Sequence, residues 1–279
     1  MINTEKYVLI GHPLGHSMSP FIHEKLFEIA GRRAEYICMD IAPEELAGKS
    51  GDLKKLSGYN ITIPHKTEII QYLDELDETA ERYNAVNCVY TKDGISRGYN
   101  TDCVGFLRSV ERFPLYGKVL LVGAGGAGRM MAVEALRHGA ELTIAVRNPD
   151  GKVKNLLEEL KEKYPDSTVK LTAISEISGK YDVLLNSTPV GMYPNGNNCP
   201  VSDEVIENCD YFFDAIYNPV KTVLVKKAEA LGKTAVGGMA MLVGQAVAAH
   251  EIWNGDSYTE EQISEIIRSA EKKVNEDFR

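Results

Sequence analysis

A lysine and an aspartate are the side chains in this sequence best suited to acid–base chemistry. Lys66 ends the segment Asn-Ile-Thr-Ile-Pro-His-Lys at residues 60–66, and Asp102 ends Asn-Thr-Asp at residues 100–102. A lysine and an aspartate that converge on one hydroxyl group can pass its proton between them when the lysine is partly removed from water. The alternating run 59–63 predicts a half-buried strand, so Lys66 follows in a loop, where functional groups concentrate.

Each of these two residues also has an interpretation without chemistry. Most lysines are solvated surface charges. Asp102 precedes apolar residues at helical spacing, Val104, Leu107 and Val110, so its carboxylate is also placed to cap a helix over residues 103–110. Capping and catalysis do not exclude each other, and both interpretations stay open.

A second chemical motif is a glycine-rich turn between a predicted strand at residues 118–122 and a predicted helix at residues 129–138. Glycines at this spacing allow a tight turn and the close approach of a pyrophosphate, whose charge then lies at the N-terminus of the helix. Another strand is predicted at residues 141–146, so the context indicates dinucleotide binding rather than a structural turn alone. The residues assigned to that role are Gly123, Gly125, Gly126, Ala127 and Gly128.

The residues after that second strand bear on which dinucleotide is bound. An acid at this place suits a free ribose 2′-hydroxyl, whereas a cation suits a 2′-phosphate. The sequence has Arg147, followed by Asn148 and then Lys152 in the same predicted turn. This favours NADP, and an exposed arginine without a ligand is the alternative.

Length and composition limit the class of protein. A chain of 279 residues fits two domains, and 44% apolar with 25% charged residues is ordinary for a soluble globular protein. The net charge of -9 disfavours nucleic acid and anionic membranes as partners, because both select positive patches. Five scattered cysteines without a C-x-x-C pair predict neither disulfides nor a metal site and favour the cytoplasm. No signal peptide is expected at the start, and residues 235–249 are too short to span a membrane.

Strands alternate with helices along most of the chain. Through residues 118–236 the alternation predicts a doubly wound sheet, and polar loops follow two of its strands, at residues 186–192 and 215–219. Such loops face the ligand crevice of an open parallel sheet. Residues 6–56 alternate in the same way and predict a second α/β domain, while residues 257–279 predict a charged amphipathic helix.

Two serines lie at the start of the first predicted helix, residues 20–30. Ser19 before Pro20 predicts a capping hydroxyl followed by proline at the first helical position. Capping accounts for Ser19 and leaves Ser17 without an explanation. Two hydroxyl groups at a helix N-terminus can also hold a carboxylate.

Taken together, these segments resemble the shikimate dehydrogenase family over nearly the whole chain. The matching segments are the glycine-rich turn and residues 11–20, 60–66, 84–87, 98–102, 186–189, 217–219 and 238–246. The resemblance implies an N-terminal α/β substrate domain, residues 1–105, completed by C-terminal helices at about residues 240–279. It also implies a Rossmann-type, doubly wound NADP-binding domain, residues 106–239, with the active site in the cleft between the domains.

The family's assignments, transferred to this sequence, make Lys66 and Asp102 the catalytic pair. They imply that Ser17 and Ser19 contact the substrate carboxylate. The other residues implied to bind substrate, several of them through its hydroxyl groups, are Thr62, Asn87, Thr101, Tyr217 and Gln245. On the cofactor side the resemblance adds Thr188 and Gly238. From the sequence alone, Gln245 could equally be a buried amide with partners in a helical core.

The implied activity is the reversible, NADP-dependent reduction of 3-dehydroshikimate to shikimate in chorismate and aromatic amino acid biosynthesis, by a monomer or homodimer. The sequence departs from the family pattern at Val146 and Gly151, where an asparagine and a basic residue are usual. One alternative is therefore a quinate/shikimate dehydrogenase that uses NAD, which Ser19 disfavours. The other is a dinucleotide-binding regulatory protein without catalysis, which the presence of Lys66 and Asp102 disfavours.

Overall fold

Two separate sheets organise the chain, each within its own unit. The computed structural model describes residues 5–15 and 17–277, apart from the side chain of Lys152. The first unit comprises residues 1–105 and 242–272, and the second comprises residues 106–241 and 273–279.

The chain begins with the elements that build the first sheet and its helices. In order, they are β1 (Glu5–Gly11), α1 (Ser19–Ala30), β2 (Ala34–Asp40), α2 (Leu46–Leu53), β3 (Gly58–Ile61), β4 (Glu75–Leu76), α3 (Glu78–Tyr83), β5 (Cys88–Lys92), β6 (Ile95–Tyr99) and α4 (Asp102–Ser109). The later elements build the second sheet, and the chain ends in two long helices. These elements are β7 (Lys118–Val122), α5 (Gly126–Arg137), β8 (Glu141–Val146), α6 (Lys152–Lys163), β9 (Val169–Ala173), β10 (Tyr181–Asn186), α7 (Asp203–Glu207), β11 (Cys209–Asp214), α8 (Val223–Ala230), β12 (Thr234–Gly237), α9 (Met239–Asn254) and α10 (Glu260–Asp277).

The first sheet is mixed and is covered on both faces. Within the described residues its order is β2-β1-β3-β5-β6-β4, with β1 parallel to β2 and β3, and β5 antiparallel to β3 and β6. Val8 and Ile10 pack into one apolar cluster, whereas Tyr7 packs into another with Trp253 of α9, because successive side chains of a strand point to opposite faces. A Cβ atom on Gly58 would lie 2.4 Å from the Trp253 indole, so this close approach of α9 requires a glycine.

The second sheet has the doubly wound topology that the alternating pattern predicts. Its described strands are all parallel, in the order β12-β11-β10-β7-β8-β9. The chain runs from β7 outward to β9 and then returns to place β10 on the other side of β7. The crevice at such a reversal, at the carboxyl ends of the strands, is the usual ligand position in this architecture. No helix in the described part of the chain is long and apolar enough to cross a membrane.

The strand predicted at residues 59–63 ends two residues early, at Ile61. The Thr62 N–H still bonds to the Ile10 carbonyl, but the His65 N–H then closes a turn on the Thr62 carbonyl. Ile63, which the pattern had placed in a half-buried strand, is 73% exposed. The turn therefore overrides the local alternation, and Lys66 lies in a loop as predicted.

Three helix boundaries also differ from the sequence prediction. Residues 43–56 contain a 3₁₀ turn, Pro43–Glu45, before α2, and α10 is shorter than the predicted range 257–279, whose last two residues lie outside the described part. The predicted helix at residues 129–138 begins at Gly126, three residues earlier. Glycine is a poor helix former, so the sequence pattern did not predict that the helix begins at Gly126. The geometry of glycine nevertheless allows it to start a helix.

A buried cluster of aromatic and histidine side chains joins α1 to α9. The ring of His23 stacks on that of Tyr36 with centroids 3.9 Å apart, and its Nδ1 lies 3.1 Å from Nε2 of His250. Nδ1 of His250 lies 2.8 Å from the Tyr258 hydroxyl. Burial lowers the pKa of His250 to about 4, against the smaller raising effect of Asp256, and burial holds the pKa of His23 well below its usual range. Both imidazoles are therefore neutral near pH 7.

These histidines should make the protein less stable in mild acid. A histidine with a lower pKa when folded binds more protons when unfolded, so its contribution is complete above pH 6.5 and is lost as the pH falls toward about 4. At about 1.4 kcal/mol for each pKa unit, His250 accounts for roughly 3 kcal/mol at most. Urea unfolding at several pH values, followed by the fluorescence of Trp253, measures the effect. We expect a shallower pH dependence in His250→Gln and an unchanged one in the exposed control His138→Gln, and equal slopes in all three proteins would contradict this account.

Candidate functional site

Lys66 and Asp102 are in direct contact within the first unit. Nζ of Lys66 lies 2.5 Å from Oδ2 of Asp102, and the two side chains are 29% and 23% exposed. Lys66 comes from the turn after β3, and Asp102 is the first residue of α4. An ammonium and a carboxylate in contact, both still reached by solvent, can exchange a proton with a hydroxyl group that binds beside them.

Asn87 fixes how the Asp102 carboxylate is turned. The Asn87 amide nitrogen donates to Oδ1 of Asp102 at 2.8 Å and to the Thr101 hydroxyl at 3.0 Å, and the amide oxygen accepts the Thr101 N–H at 2.6 Å. Asn87 and Thr101 are both buried. The amide therefore has one orientation, in which Oδ1 of Asp102 is held by Asn87 and Oδ2 faces Lys66.

The interpretation of Asp102 as a helix cap is wrong. The Thr101 carbonyl accepts the Gly105 N–H at 3.0 Å, so Thr101 occupies the capping position and Asp102 lies inside the first turn. Its carboxylate is directed to Lys66 and Asn87 instead. The negative charge is still placed favourably, at the positive end of the helix.

Gln245 of α9 joins the same group of residues. Its amide oxygen lies 3.5 Å from both the Asn87 amide nitrogen and the Thr101 hydroxyl, and its amide nitrogen donates to the Leu242 carbonyl. A Cβ atom on the preceding residue, Gly244, would lie only 3.0 Å from the backbone of Gly105, which follows Asp102 closely in α4. The glycine thus lets α9 carry Gln245 up to the site. As the alternative interpretation of Gln245 as a buried amide expects, the side chain is nearly buried and has hydrogen-bond partners.

The two serines lie at the start of α1, but Ser19 does not cap it. The helix begins at Ser19 itself, with Met18 before it and no capping bond from that side chain. The Ser17 hydroxyl accepts the Ser19 N–H at 3.2 Å, so Ser17 takes the role expected of Ser19. Thr62 follows β3 beside Gly11, where a Cβ atom would lie 2.4 Å from the Thr62 methyl group. Within the described residues, neither serine is hydrogen-bonded to the Lys66–Asp102 pair.

Asn60 is a supporting residue to which the sequence argument gave no role. Its amide oxygen accepts the Tyr36 hydroxyl at 2.8 Å, and its amide nitrogen donates to the Asn87 carbonyl at 3.1 Å. It is buried in the middle of β3. An asparagine inside an otherwise apolar strand was the available signal, because a buried amide needs partners.

The second unit contains a cavity of about 780 Å³ at the carboxyl ends of β7, β8 and β10. Of the predicted cofactor residues, those in its lining are Gly123, Gly125, Arg147, Asn148 and Thr188. Gly126, Ala127 and Gly128 form the adjoining first turn of α5. The sequence argument missed Ile174, Asn195 and Asn198, which also line the cavity. Asn195 and Asn198 lie in the loop after β10. Loops after the strands of an open parallel sheet face the ligand crevice, so the topology was the available signal.

The glycines of the turn differ in why glycine is needed. Cβ atoms on Gly123 or Gly128 would lie 2.6 Å from the Ser187 hydroxyl, so the fold itself excludes side chains there. Around Gly125 and Gly126 a Cβ atom would meet nothing within 4 Å. Open space beside the uncapped start of a helix is the cradle that a pyrophosphate requires, so these residues fit a dinucleotide.

The turn after β8 presents a cation and explains one departure from the family pattern. Arg147 and Asn148 are exposed, and the described residues form no ion pair or hydrogen bond with the Arg147 side chain. Gly151 has φ +60°, a left-handed conformation that favours glycine over a basic residue. Lys152 begins α6, and its side chain lies outside the described part of the chain.

Tyr217 and Gly238 follow two neighbouring strands of the second unit, β11 and β12. Tyr217 follows β11 and is partly buried, and this burial raises the pKa of its hydroxyl. The Gly238 N–H donates to the Ile216 carbonyl, and a Cβ atom on Gly238 would lie 2.2 Å from the Ala215 carbonyl oxygen. Packing alone therefore accounts for this glycine, and its contact with a cofactor stays a prediction.

The fold and the two groups of residues define a class of protein. A doubly wound unit with a glycine cradle and a free arginine is joined to an α/β unit that carries an oriented lysine–aspartate pair. This combination is that of an oxidoreductase that uses a dinucleotide to interconvert an alcohol and a ketone.

Comparison with known proteins identifies the family. Residues 9–89 match the sequence model described as the shikimate dehydrogenase substrate binding domain. The chain is 37% identical over 272 residues to shikimate dehydrogenase (NADP(+)) of Caldanaerobacter subterraneus subsp. tengcongensis, covering 95% of this chain and 97% of that protein. This chain belongs to the shikimate dehydrogenase family, as the motifs predicted.

Solved structures agree with that assignment and confirm the fold class. A chorismate mutase/shikimate 5-dehydrogenase fusion protein from Clostridium acetobutylicum matches with a TM-score of 0.87 and 35% identity, over 98% of this chain and 100% of that one. Shikimate 5-dehydrogenase from Thermus thermophilus, in complex with NADP(H) and shikimate, matches with a TM-score of 0.83 and 29% identity. The match covers 96% of this chain and 100% of the Thermus chain.

The two kinds of glycine in the turn lead to opposite expectations for stability. Gly128→Ala forces a methyl group against Ser187 and should lower the free energy of unfolding by about 1–3 kcal/mol. Gly126→Ala lies in the same first turn of α5 with open space around it, so it should be neutral or stabilising by up to about 1 kcal/mol. Thermal unfolding of the two variants without cofactor tests this contrast. Equal stability would show that Ser187 does not exclude a side chain at position 128.

Proposed function

We propose that this protein is an NADP-dependent shikimate dehydrogenase that reversibly reduces 3-dehydroshikimate to shikimate in aromatic amino acid biosynthesis. The observation that most supports this proposal is the 2.5 Å contact between Lys66 and Asp102. Asn87 holds the Asp102 carboxylate in one orientation. It lies in the unit whose sequence matches the substrate binding domain of the family. The predictions of an oxidoreductase and of NADP as its cofactor are confirmed at the level of the family.

The chain's own chemical contribution is the transfer of one proton. When bound, NADP would supply a hydride acceptor for the carbon that bears the hydroxyl group, and NADPH would supply the hydride in the reverse direction. In the oxidation direction, the Lys66–Asp102 pair accepts the proton that leaves the hydroxyl oxygen. In the reduction direction, Lys66 donates a proton to the oxygen of the carbonyl group, and Asp102 stabilises the lysine's charge. Such positioned acid–base groups contribute about 10²- to 10⁴-fold to rate.

The remaining polar residues of the first unit bind and orient the substrate. Ser17 and Ser19 receive its carboxylate at the start of α1, where the helix N-terminus favours an anion and the Ser19 hydroxyl has no hydrogen-bond partner among the described residues. Its hydroxyl groups contact Thr62, Thr101 and Gln245. Tyr217, which belongs to the second unit, is also assigned to substrate binding. Asn87 already uses both amide hydrogens on Asp102 and Thr101, so its main task is to hold the Asp102 carboxylate.

The second unit binds NADP. Its pyrophosphate lies in the open space beside Gly125 and Gly126, at the N-terminus of α5. The 2′-phosphate pairs with Arg147, supported by Asn148 and Lys152. The other assigned cofactor contacts are Gly123, Ala127, Gly128, Thr188 and Gly238. In this assignment, residues 106–239 form the NADP domain, and residues 1–105 with the C-terminal helices from about residue 240 form the substrate domain.

Four initial rates test this proposal. The protein is given shikimate or quinate, each with NADP and with NAD, and reduction of the nicotinamide is followed. Shikimate with NADP should be the fastest pair. The second candidate, a quinate/shikimate dehydrogenase that uses NAD, is favoured by Val146 and Gly151 and would be shown by faster turnover of quinate or with NAD. Binding of NADP without any turnover would instead support a regulatory protein.

The protein is also proposed to act in the cytoplasm, as a monomer or homodimer, on small molecules rather than nucleic acid or membranes. A net charge of -9 and five free cysteines support this assignment. Sedimentation of the purified protein would measure its oligomeric state.

Lys66→Met should lower kcat by about 10²- to 10⁴-fold, because it removes the proton donor and keeps most of the side-chain volume. The affinity for NADP should stay unchanged, since Lys66 lies outside the cofactor cavity. Lys55→Met is the matched control, because Lys55 is exposed and pairs with nearby Asp52. Wild-type turnover in Lys66→Met would remove Lys66 from the mechanism.

Arg147→Ala should lower the preference for NADP over NAD by about tenfold, which corresponds to the loss of one charge-assisted contact with a phosphate. Binding of NAD should change little. The matched control is Lys154→Ala, a nearby exposed lysine of α6 that pairs with Asp150. An unchanged preference in Arg147→Ala would mean that another residue recognises the 2′-phosphate.

A further inference from the structure

A buried polar pair joins the carboxyl ends of β10 and β11. Asn186 is the last residue of β10 and Asp214 the last of β11, and both are fully buried. The Asn186 amide nitrogen donates to Oδ1 of Asp214 at 2.9 Å, and the Asn186 carbonyl accepts the Ala215 N–H. The proposed proton transfer uses neither side chain.

Asp214 determines which way the Asn186 amide is turned. A carboxylate can only accept hydrogen bonds, so the amide nitrogen must face Asp214 and the amide oxygen must face the opposite direction. That oxygen accepts two hydrogen bonds from Thr188, from its N–H at 3.0 Å and from its hydroxyl at 2.7 Å. With the amide turned over, the Thr188 N–H would lose its acceptor, and the amide oxygen would face an oxygen of Asp214.

The Asp214 carboxylate is held by two further donors. Its Oδ1 also accepts the Ile216 N–H at 3.1 Å, and its Oδ2 accepts the Thr222 hydroxyl at 2.7 Å. No lysine or arginine in the described residues pairs with it. Burial of a carboxylate without a cation is unfavourable and raises the pKa of Asp214, although its hydrogen bonds offset part of this effect. Two packed apolar side chains in place of Asn186 and Asp214 would avoid the cost of burying a carboxylate. The effect specific to the Asp214 carboxylate is therefore the orientation of the Asn186 amide.

The loop that Asn186 holds forms one wall of the cofactor cavity. Residues 187–191 all line the cavity. Cβ positions on Gly123 and Gly128 lie 2.6 Å from the Ser187 hydroxyl, so this loop packs directly on the glycine-rich turn. A shift of the loop would therefore change both sides of the crevice.

We propose that Asp214 and Asn186 are positioning residues for the NADP site: Asp214 orients the Asn186 amide, which holds Thr188 and the loop 187–191 against the glycine-rich turn. This proposal rests on the proposed function, because it assumes that NADP binds in this cavity. Neither residue contacts the cofactor in this account. Both act through Thr188 and the loop.

The test compares two variants that remove hydrogen bonds from opposite oxygens of the same carboxylate. Asn186→Leu removes one of the two partners of Oδ1 and leaves Thr188 unheld, so the dissociation constant for NADPH should rise by about tenfold or more. Thr222→Val removes the partner of Oδ2 and the cap of α8, so it should lower stability while NADPH affinity stays within about twofold of wild type. Fluorescence titration with NADPH and thermal unfolding measure the two effects, and the KM for shikimate should stay unchanged in both variants.

A second variant covers the case in which Asn186→Leu does not fold. Asn186→Asp places two carboxyl groups in contact, which share a proton in mildly acidic buffer and repel each other in alkaline buffer. Its NADPH affinity relative to wild type should therefore fall as the pH rises. Asp214→Asn should stay within about threefold of wild-type affinity, because the Ile216 N–H keeps an amide oxygen facing Asn186.

Wild-type NADPH affinity in a folded Asn186→Leu would overturn the positioning role. Equal weakening of NADPH binding by Thr222→Val would also overturn it, since affinity would then follow stability. Affinity of Asn186→Asp that does not depend on pH relative to wild type would have the same meaning. Failure of the proposed function is distinguishable, because it would appear in the wild-type protein itself, as no turnover of shikimate with NADP or no binding of NADPH, before any variant is compared.

Discussion

One amide group carries much of the geometry of the first unit. Asn87 is held between a backbone N–H, which fixes its oxygen, and a carboxylate, which fixes its nitrogen. Asn60 supports Asn87 as well, because its amide nitrogen donates to the Asn87 backbone carbonyl. The pairing of Lys66 with a single oxygen of Asp102 follows from this arrangement. Without it, the aspartate could rotate, and the lysine would have no fixed partner.

The second unit uses the same device for a different purpose. Asn186 also lies between a carboxylate, which takes its nitrogen, and a backbone N–H, which takes its oxygen. In both units a carboxylate, which can only accept hydrogen bonds, fixes which way the amide of a buried asparagine is turned. The amide oxygen then accepts a hydrogen bond from a loop. Buried amides of this kind are unfavourable when unpaired and have one orientation when fully paired. They therefore supply rigidity at strand ends, where the backbone ladder stops.

Local patterns in the sequence predicted a large part of the fold. The strands of the second unit follow from apolar runs between turn residues, and the connections between them require a parallel, doubly wound sheet. The mixed order of the first sheet was not predictable, because periodicity shows that a strand exists but not which strand it pairs with. The same limit explains Ser19 and Asp102. Both are good capping residues by type, but the position of a cap depends on which carbonyl takes the first helical bond.

For the site, the sequence indicated the residues proposed to perform chemistry more readily than the residues that hold them. Lys66, Asp102 and the glycine turn are recognisable because their types and spacing imply a task. Asn60 and Asn186 have no spacing signal, since both partners of Asn60 and the Asp214 that orients Asn186 are distant in sequence. The loop residues Asn195 and Asn198, well beyond the end of β10, also line the cavity. Their position depends on tertiary packing and not on any local pattern.

The left-handed residue Gly151 constrains how this cofactor site can evolve. A lysine or arginine at this position would have to adopt φ near +60°, at a cost of roughly 1–2 kcal/mol. The family's usual basic residue is therefore not reachable here by one substitution without strain. A mutational path toward it must first remodel the turn between β8 and α6. This chain has a lysine one residue later, at position 152, where α6 begins.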